Sequence, residues 1–265
     1  MASLGRHRQV TNRRMRMRLI KQLQNYPSLR PAYRAWWERR YGVRPNDVFL
    51  VSYPRSGNTW VRFMLLQARP GFQEEDLQRI REIIPDMHGK KPWFECQRTN
   101  VVKSHLTHWQ PFRNVIYLVR DGRPATFSNW KYQQAEGVYD GSFEEFLTHD
   151  HWPSSWNQHV AGWTQARETK LVVRYEDLIR DTPKHLKQML GLIGWPTSEQ
   201  RIEEIVQNST KENMRRLEQS EGIALHRVGQ GISSWQEIFD QHLSKQFDAH
   251  LGDETRRFLE KPTTF

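Results

Sequence analysis

The stretch Val48-Phe49-Leu50-Val51-Ser52-Tyr53-Pro54-Arg55-Ser56-Gly57-Asn58-Thr59-Trp60 decides the fold. Its first four residues are a short apolar run of the kind that forms a buried strand. Pro54 and Gly57 then impose a tight turn, and Val61-Arg62-Phe63-Met64-Leu65-Leu66 opens a helix. A strand, a turn and a helix N-terminus in that order hold an anion. The first backbone N–H groups of the helix have no partner of their own, and the helix dipole favours negative charge there. Arg55 adds a full positive charge, and Ser56, Asn58 and Thr59 add side-chain donors. Phosphate is the default anion for such a loop.

Working outward, three further apolar runs end in polar chemistry. Val101-Val102 leads into Lys103-Ser104-His105. Val115-Ile116-Tyr117-Leu118-Val119 leads into Arg120-Asp121-Gly122, with Ser128 eight positions beyond Arg120. Leu171-Val172-Val173-Arg174 leads into Tyr175-Glu176-Asp177-Leu178. The expected element order is β(48–53), α(59–68), α(74–84), β(100–104), β(115–119), α(124–135), α(142–149), α(155–168), β(171–174), α(178–193), then helices to the end. In the last helix placed, Leu186, Met189, Leu190 and Ile193 recur at a helical period before Gly194-Trp195-Pro196 stops it. Alternating strands and helices predict an α/β fold of three layers: a central parallel sheet of four to five strands flanked by helices. Ligands in such sheets sit at the carboxyl ends of the strands. Arg55, His105, Arg120 and Tyr175 all fall at such ends, so the chain builds one site with several phosphate contacts.

The loop is not a Walker A motif, because its basic residue precedes the glycine and no lysine follows. Pro54-Arg55-Ser56-Gly57-Asn58-Thr59-Trp60 instead resembles the 5′-phosphosulfate loop of sulfotransferases that use 3′-phosphoadenosine 5′-phosphosulfate (PAPS). Arg120 with Ser128 resembles that family's 3′-phosphate site. Lys103-Ser104-His105 resembles its Lys-[Ser/Thr]-His strand end, and Tyr175-Glu176-Asp177-Leu178 its turn near the adenine. The resemblance spans roughly Asp47 to Trp235. It implies that Arg55, Ser56, Gly57, Asn58, Thr59 and Trp60 hold the 5′ end of the donor. Arg120 and Ser128 would hold the 3′-phosphate, Tyr175 would lie by the adenine, and His105 would be the general base. Lys103 and Arg55 would balance charge on the leaving phosphate oxygen. Where the family often carries a phenylalanine on the adenine, this chain has Ser209-Thr210-Lys211 without one, so Lys211, Thr210 or Trp60 would cover that face. In the family's closing loop Arg227 and Gly229 match, while Val228 stands for the usual lysine. A short C-terminal segment that pairs many cytosolic members is not found, which leaves monomer and homodimer open. The resemblance implies PAPS as donor, PAP as product and no metal.

The acceptor would meet the loops 71–99, 106–112 and 130–157, which carry His88, Trp93, Phe94, Trp109, Trp130, Tyr132, Tyr139, His149 and Trp152. They also carry the acids Asp86, Glu95, Glu136 and Asp140. Aromatic rings with a few carboxylates suit a compact small molecule, held by stacking and cation–π contact. Two other classes compete: a nucleotide- or RNA-binding protein without catalysis, and a kinase-like phosphotransferase. Intact Lys103 and His105 speak against the first, and the missing Walker lysine against the second.

With 265 residues the chain suits one α/β domain with elaborations. A single cysteine, Cys96, excludes an internal disulfide framework and agrees with a reducing compartment. No apolar run approaches the roughly 18 residues of a membrane span, so a cytoplasmic protein with no nucleic-acid partner is expected. The net charge of +10 is unevenly placed: residues 1–44 hold eleven arginines and one lysine against Glu38 alone, and the rest is nearly neutral. The expected division is a basic helical extension over 1–45 and a single domain over 46–265. In the extension the arginines are spaced among Leu19, Ile20, Leu23, Tyr26, Trp36 and Trp37. That spacing favours an amphipathic helix packing on the domain, or on another subunit, over an arm for nucleic acid or an anionic surface.

Overall fold

The computed structural model describes residues 35–36, 38–39, 42–87, 99–108, 112–148, 154–220, 222–223 and 235–260. The chain divides at Arg44/Pro45 into two units. Leu19, Ile20, Leu23, Tyr26 and Trp37 of the first lie outside the described residues.

The second unit runs β1 (Val48–Ser52), α1 (Asn58–Ala68), a 3₁₀ stretch (Glu74–Arg79) continuing into α2 (Ile80–Ile83), β2 (Val101–Ser104) and β3 (Asn114–Val119). Next come α3 (Gly122–Ala135), α4 (Phe143–Thr148), α5 (Trp156–Thr164), β4 (Thr169–Arg174), α6 (Tyr175–Arg180) and α7 (Thr182–Ile193). The helices α8 (Glu199–Asn208), α9 (Lys211–Ser220), α10 (Trp235–Ile238), α11 (Gln241–Ala249) and α12 (Asp253–Glu260) complete it. Among the described residues, no helix is long and apolar enough to cross a membrane.

The four strands form one sheet in the order β2-β1-β3-β4, and every neighbouring pair is parallel. Side chains alternate across it as strand geometry requires. Val48, Leu50, Val101, Ile116 and Leu118 face a core shared with α1, α7 and α8. Phe49, Val51, Val115 and Tyr117 face the opposite layer, where Phe49 stacks on Phe112 with centroids 3.9 Å apart and Phe112 stacks on Trp163 of α5. With both faces covered, the strands read as continuous apolar runs rather than alternating ones.

Several boundaries differ from expectation, among them the helix expected over 74–84, which begins as the 3₁₀ stretch Glu74–Arg79. The helix expected over 178–193 is two helices broken at Asp181, whose side chain accepts from Lys184 N while Pro183 sits in the first turn of α7. An aspartate cap followed by proline starts a helix anew. The helix expected to reach 168 ends at Thr164, and β4 begins two residues earlier than expected, at Thr169, whose hydroxyl donates to Trp163 O. The α7 core face Leu186, Met189, Leu190 and Ile193 is buried, and Gly194 closes the helix at φ 81°.

The strand order creates the site. The chain leaves β1 toward β2 on one side, then crosses back to β3 on the other. The carboxyl ends of β1 and β3 are therefore neighbours whose connections diverge, which opens a crevice between them. The loop 53–57 and the residues Arg120-Asp121 both lie there.

Candidate active site

The loop after β1 bends sharply. Arg55 has φ 67° and Gly57 has φ 88°, both left-handed. Gly57 is needed for a second reason: a Cβ there would lie 2.6 Å from Cδ2 of Tyr175. The Tyr175 ring thus lies flush on the loop backbone, with the Arg120 guanidinium carbon 4.7 Å from its centroid and Trp60 edge-on at 6.2 Å.

The arginines join the loops to one another. Arg120 Nη1 donates to the Arg55 carbonyl at 3.0 Å, and Arg55 Nε donates to Ser128 Oγ at 3.0 Å. Arg55 also lies over the Tyr132 ring, 5.5 Å from its centroid. The structure therefore brings together the residues expected at the two phosphate sites, with Arg55 between them. Ser56 is buried, and its hydroxyl has no partner among the described residues. A buried hydroxyl left unpaired in a loop of this shape fits a phosphate oxygen as its absent partner. A bisphosphorylated nucleotide suits the residues present.

Asn58 and Ser209 behave differently. The Asn58 amide turns inward, donating to Leu50 O and Ser52 Oγ, so only its backbone belongs to the helix start. Ser209 is buried. Its hydroxyl accepts from Gln67 and its carbonyl from Trp60 Nε1 at 2.8 Å. Thr210 caps α9 by accepting from Asn213 N.

At the adjoining strand end, His105 Nδ1 lies 2.8 Å from the Ser52 carbonyl. A carbonyl can only accept, so Nδ1 carries the proton and Nε2 has the lone pair. Burial, reinforced by the Lys103 charge, holds the His105 pKa well below its ordinary 6.5. The ring is therefore neutral at physiological pH. Lys103 is ion-paired with Asp86, and residues 85–87 add a short rung alongside β2: Lys103 N donates to Pro85 O and Met87 N to Lys103 O. Burial lowers the Lys103 pKa and Asp86 opposes that shift. Asp86, expected among the acids facing an acceptor, is thus engaged by Lys103.

Of the aromatic residues expected around the acceptor, Tyr132 lies at Arg55. Trp130 donates to Gly141 O and packs with Phe127 and Phe143, and Tyr139 packs edge-on against Phe146. His88, Trp93, Phe94, Trp109, His149 and Trp152 lie outside the described residues, as do Arg227, Val228 and Gly229. Ser52 and the buried His159 were not singled out from sequence, nor was Asp86 as the partner of Lys103. Ser52 acts through its backbone, which no residue type reveals. Among the described residues, no group of three His, Cys, Asp or Glu side chains is arranged to hold a metal.

Linked cationic loops at the switch point of a parallel sheet, beside a neutral histidine, define an α/β enzyme that handles a phosphorylated nucleotide. Within that class the chain belongs to the sulfotransferase family: residues 45–259 match the family model described as sulfotransferase domain. Human sulfotransferase 1E1 is 23% identical over 264 residues, covering 83% of this chain and 88% of the relative. Mouse sulfotransferase 4A1 is 24% identical over 234 residues, covering 78% and 80%. Among solved structures, retinol dehydratase in complex with retinol and PAP superposes with a TM-score of 0.66 at 17% identity, covering 85% of each chain. Mouse sulfotransferase SULT7A1 complexed with PAP gives 0.58 at 18% identity, covering 82% of this chain and 90% of the other.

Proposed function

We propose that this sulfotransferase takes the sulfuryl group of PAPS and delivers it to a hydroxyl, N-hydroxyl or amine of a small-molecule acceptor, with His105 as the general base. The observation that carries the reading is the His105 tautomer. Its Nδ1–H is committed to Ser52 O, so Nε2 is the nitrogen that can take a proton. PAPS, when bound, supplies a sulfur whose bond to a phosphate oxygen breaks as the bond to the acceptor forms. Arg55, Ser56 and Thr59, with the first N–H groups of α1, are suited to hold its 5′ end; Arg120, just ahead of α3, and Ser128, midway along it, suit the 3′-phosphate. Lys103 and Arg55 supply positive charge toward the leaving oxygen, and His105 Nε2 takes the acceptor proton. Arg227 and Gly229, outside the described residues, are proposed to close over the 3′-phosphate. Retinol dehydratase in complex with retinol and PAP, a structural neighbour, supports a small-molecule acceptor and this nucleotide.

Thermal unfolding with PAP or ATP tests the donor. PAP should raise the midpoint strongly and ATP little, and equal shifts refute the assignment. For the base, His105→Ala should abolish transfer and leave PAP affinity within about threefold. Turnover within about tenfold of wild type would remove His105 from that role.

A further inference from the structure

Two buried side chains on α5 reach across to the segment that carries His105. His159 Nε2 lies 3.3 Å from the His105 carbonyl oxygen, and Trp163 Nε1 lies 2.7 Å from the Leu106 carbonyl oxygen. The two residues are four apart on one helix face, so one face of α5 delivers two donors onto two consecutive carbonyls. Because a carbonyl only accepts, His159 carries its proton on Nε2. Its Nδ1 lone pair then receives the hydroxyl proton of Tyr117, 2.9 Å away on β3. Tyr117 stacks on the imidazole at 5.6 Å and Tyr53 meets it edge-on at 5.8 Å, and all three rings are buried. His159 is thus neutral, hydrogen-bonded at both nitrogens, and of one tautomer.

Packing alone does not call for this arrangement. A buried histidine with both nitrogens partnered ties the Tyr117 hydroxyl on β3 to the His105 carbonyl, which an apolar side chain of similar size would not do. The carbonyls it serves lie just past the end of β2, where strand pairing gives out. His105 is thereby fixed at three points: its ring by Ser52 O, its own carbonyl by His159, and the next carbonyl by Trp163. Rotation of the 105–106 backbone would swing the imidazole away from Ser52 O and from the phosphate loops.

We propose that His159 and Trp163 are positioning residues for sulfuryl transfer, clamping the His105 and Leu106 carbonyls so that the His105 imidazole stays on Ser52 O with Nε2 facing the reacting group. The proposal rests on His105 being the base. The test compares kcat, KM for PAPS and PAP affinity in the wild type, His159→Leu, His159→Gln, Trp163→Phe and His105→Ala. The ¹⁵N signals of the His105 imidazole are recorded alongside. His159→Leu should lower kcat by about 100-fold, the cost of misplacing a reacting group by about 1 Å, while PAP affinity and KM for PAPS stay within about threefold. His159→Gln restores a donor toward the carbonyl and should recover kcat to within about tenfold of wild type. The wild-type imidazole should show one tautomer, protonated on Nδ1, and the leucine variant a mixture.

A leucine variant that keeps kcat within about threefold overturns the clamp. So does equal loss in the leucine and glutamine variants with PAP affinity falling in step, because that is the signature of general structural damage. If the leucine variant does not bind PAP at all, Trp163→Phe, which removes the donor onto Leu106 but keeps an aromatic ring against Phe112, must still lower kcat with PAP affinity kept; unchanged kcat there overturns the proposal. Activity in His105→Ala would refute the base itself, whereas an inert His105→Ala beside a fully active His159→Leu refutes the clamp alone.

Discussion

Substituting Gly57 by alanine should disable the nucleotide site by moving a ring rather than by removing a contact. Gly57 has φ 88°, a conformation that costs a residue with a Cβ about 1–2 kcal/mol. The added Cβ would lie 2.6 Å from Tyr175 Cδ2 and 2.7 Å from Cε2. Carbon atoms pack at about 3.5–4 Å, so the ring must retreat by about 1 Å. Tyr175 carries Arg120 at 4.7 Å, and Arg120 in turn donates to the Arg55 carbonyl, so the retreat displaces both guanidinium groups. Misplacement on that scale should weaken PAP by about 10- to 100-fold, beyond a stability loss of about 1–2 kcal/mol. Gly137→Ala separates the two effects, because Gly137 has φ 63° and open space where its Cβ would go. It carries the strain without the clash. Urea unfolding and calorimetric titration with PAP measure both quantities. Wild-type PAP affinity in Gly57→Ala, with a stability loss equal to that of Gly137→Ala, would refute the coupling of ring position to phosphate binding.

The acid limb of kcat/KM should lie below pH 6.5, since burial and the Lys103 charge keep His105 neutral well below its ordinary value; a limb at or above 6.5 contradicts that environment. His159 is held down to about 3 by burial, so the native state resists a proton that the unfolded chain accepts near 6.5. Its contribution to stability is present above pH 6.5 and fades as pH falls toward 3. Between pH 7.5 and pH 5 that loss is about 2 kcal/mol, and His159→Gln should flatten the slope of denaturant-measured stability by that amount. Ser56→Ala should leave the unliganded protein as stable as wild type or raise it by up to about 1 kcal/mol, because the hydroxyl is buried without a partner among the described residues. The same change should weaken PAP about tenfold; a variant that loses stability and keeps affinity would place the hydroxyl in the fold rather than the site.

The strands were legible because both faces of the sheet are covered, so each reads as an apolar run, and the polar residues at their carboxyl ends stand out. The helix break at Asp181 was less so: the apolar period of Leu186, Met189, Leu190 and Ile193 dominates the stretch, although Asp181-Thr182-Pro183 marks a fresh start. Within the site, charge was easier to read than orientation. Arg55, Arg120, Lys103 and His105 announce themselves by type, but nothing in Asn58 reveals that its amide turns back to Leu50 O and Ser52 Oγ. Likewise the partners of His105 are a backbone carbonyl from a residue 53 positions away and a histidine 54 positions away. Such contacts arise from the parallel pairing of β1 with β2 and from the packing of α5 against β3 and β4. They have no local signature.

The two phosphate sites looked separable in sequence, yet they share Arg55. Its left-handed backbone is costly for a non-glycine residue, by about 1–3 kcal/mol, and persists only if its surroundings hold it. Arg120 holds the carbonyl of that strained residue, and Ser128 holds its side chain. Removing either should let Arg55 relax, so the second removal has less left to disturb. Affinity losses for PAP in Arg120→Ala and Ser128→Ala should therefore fail to add in the double variant, with a coupling of about 1 kcal/mol. Both residues would also touch the nucleotide, so coupling through the ligand must be told apart from coupling through Arg55. Unfolding of the unliganded variants does so, since only the protein-borne coupling survives without PAP. Additive losses in the unliganded protein would mean that Arg55 keeps its conformation unaided and that the two sites are independent after all.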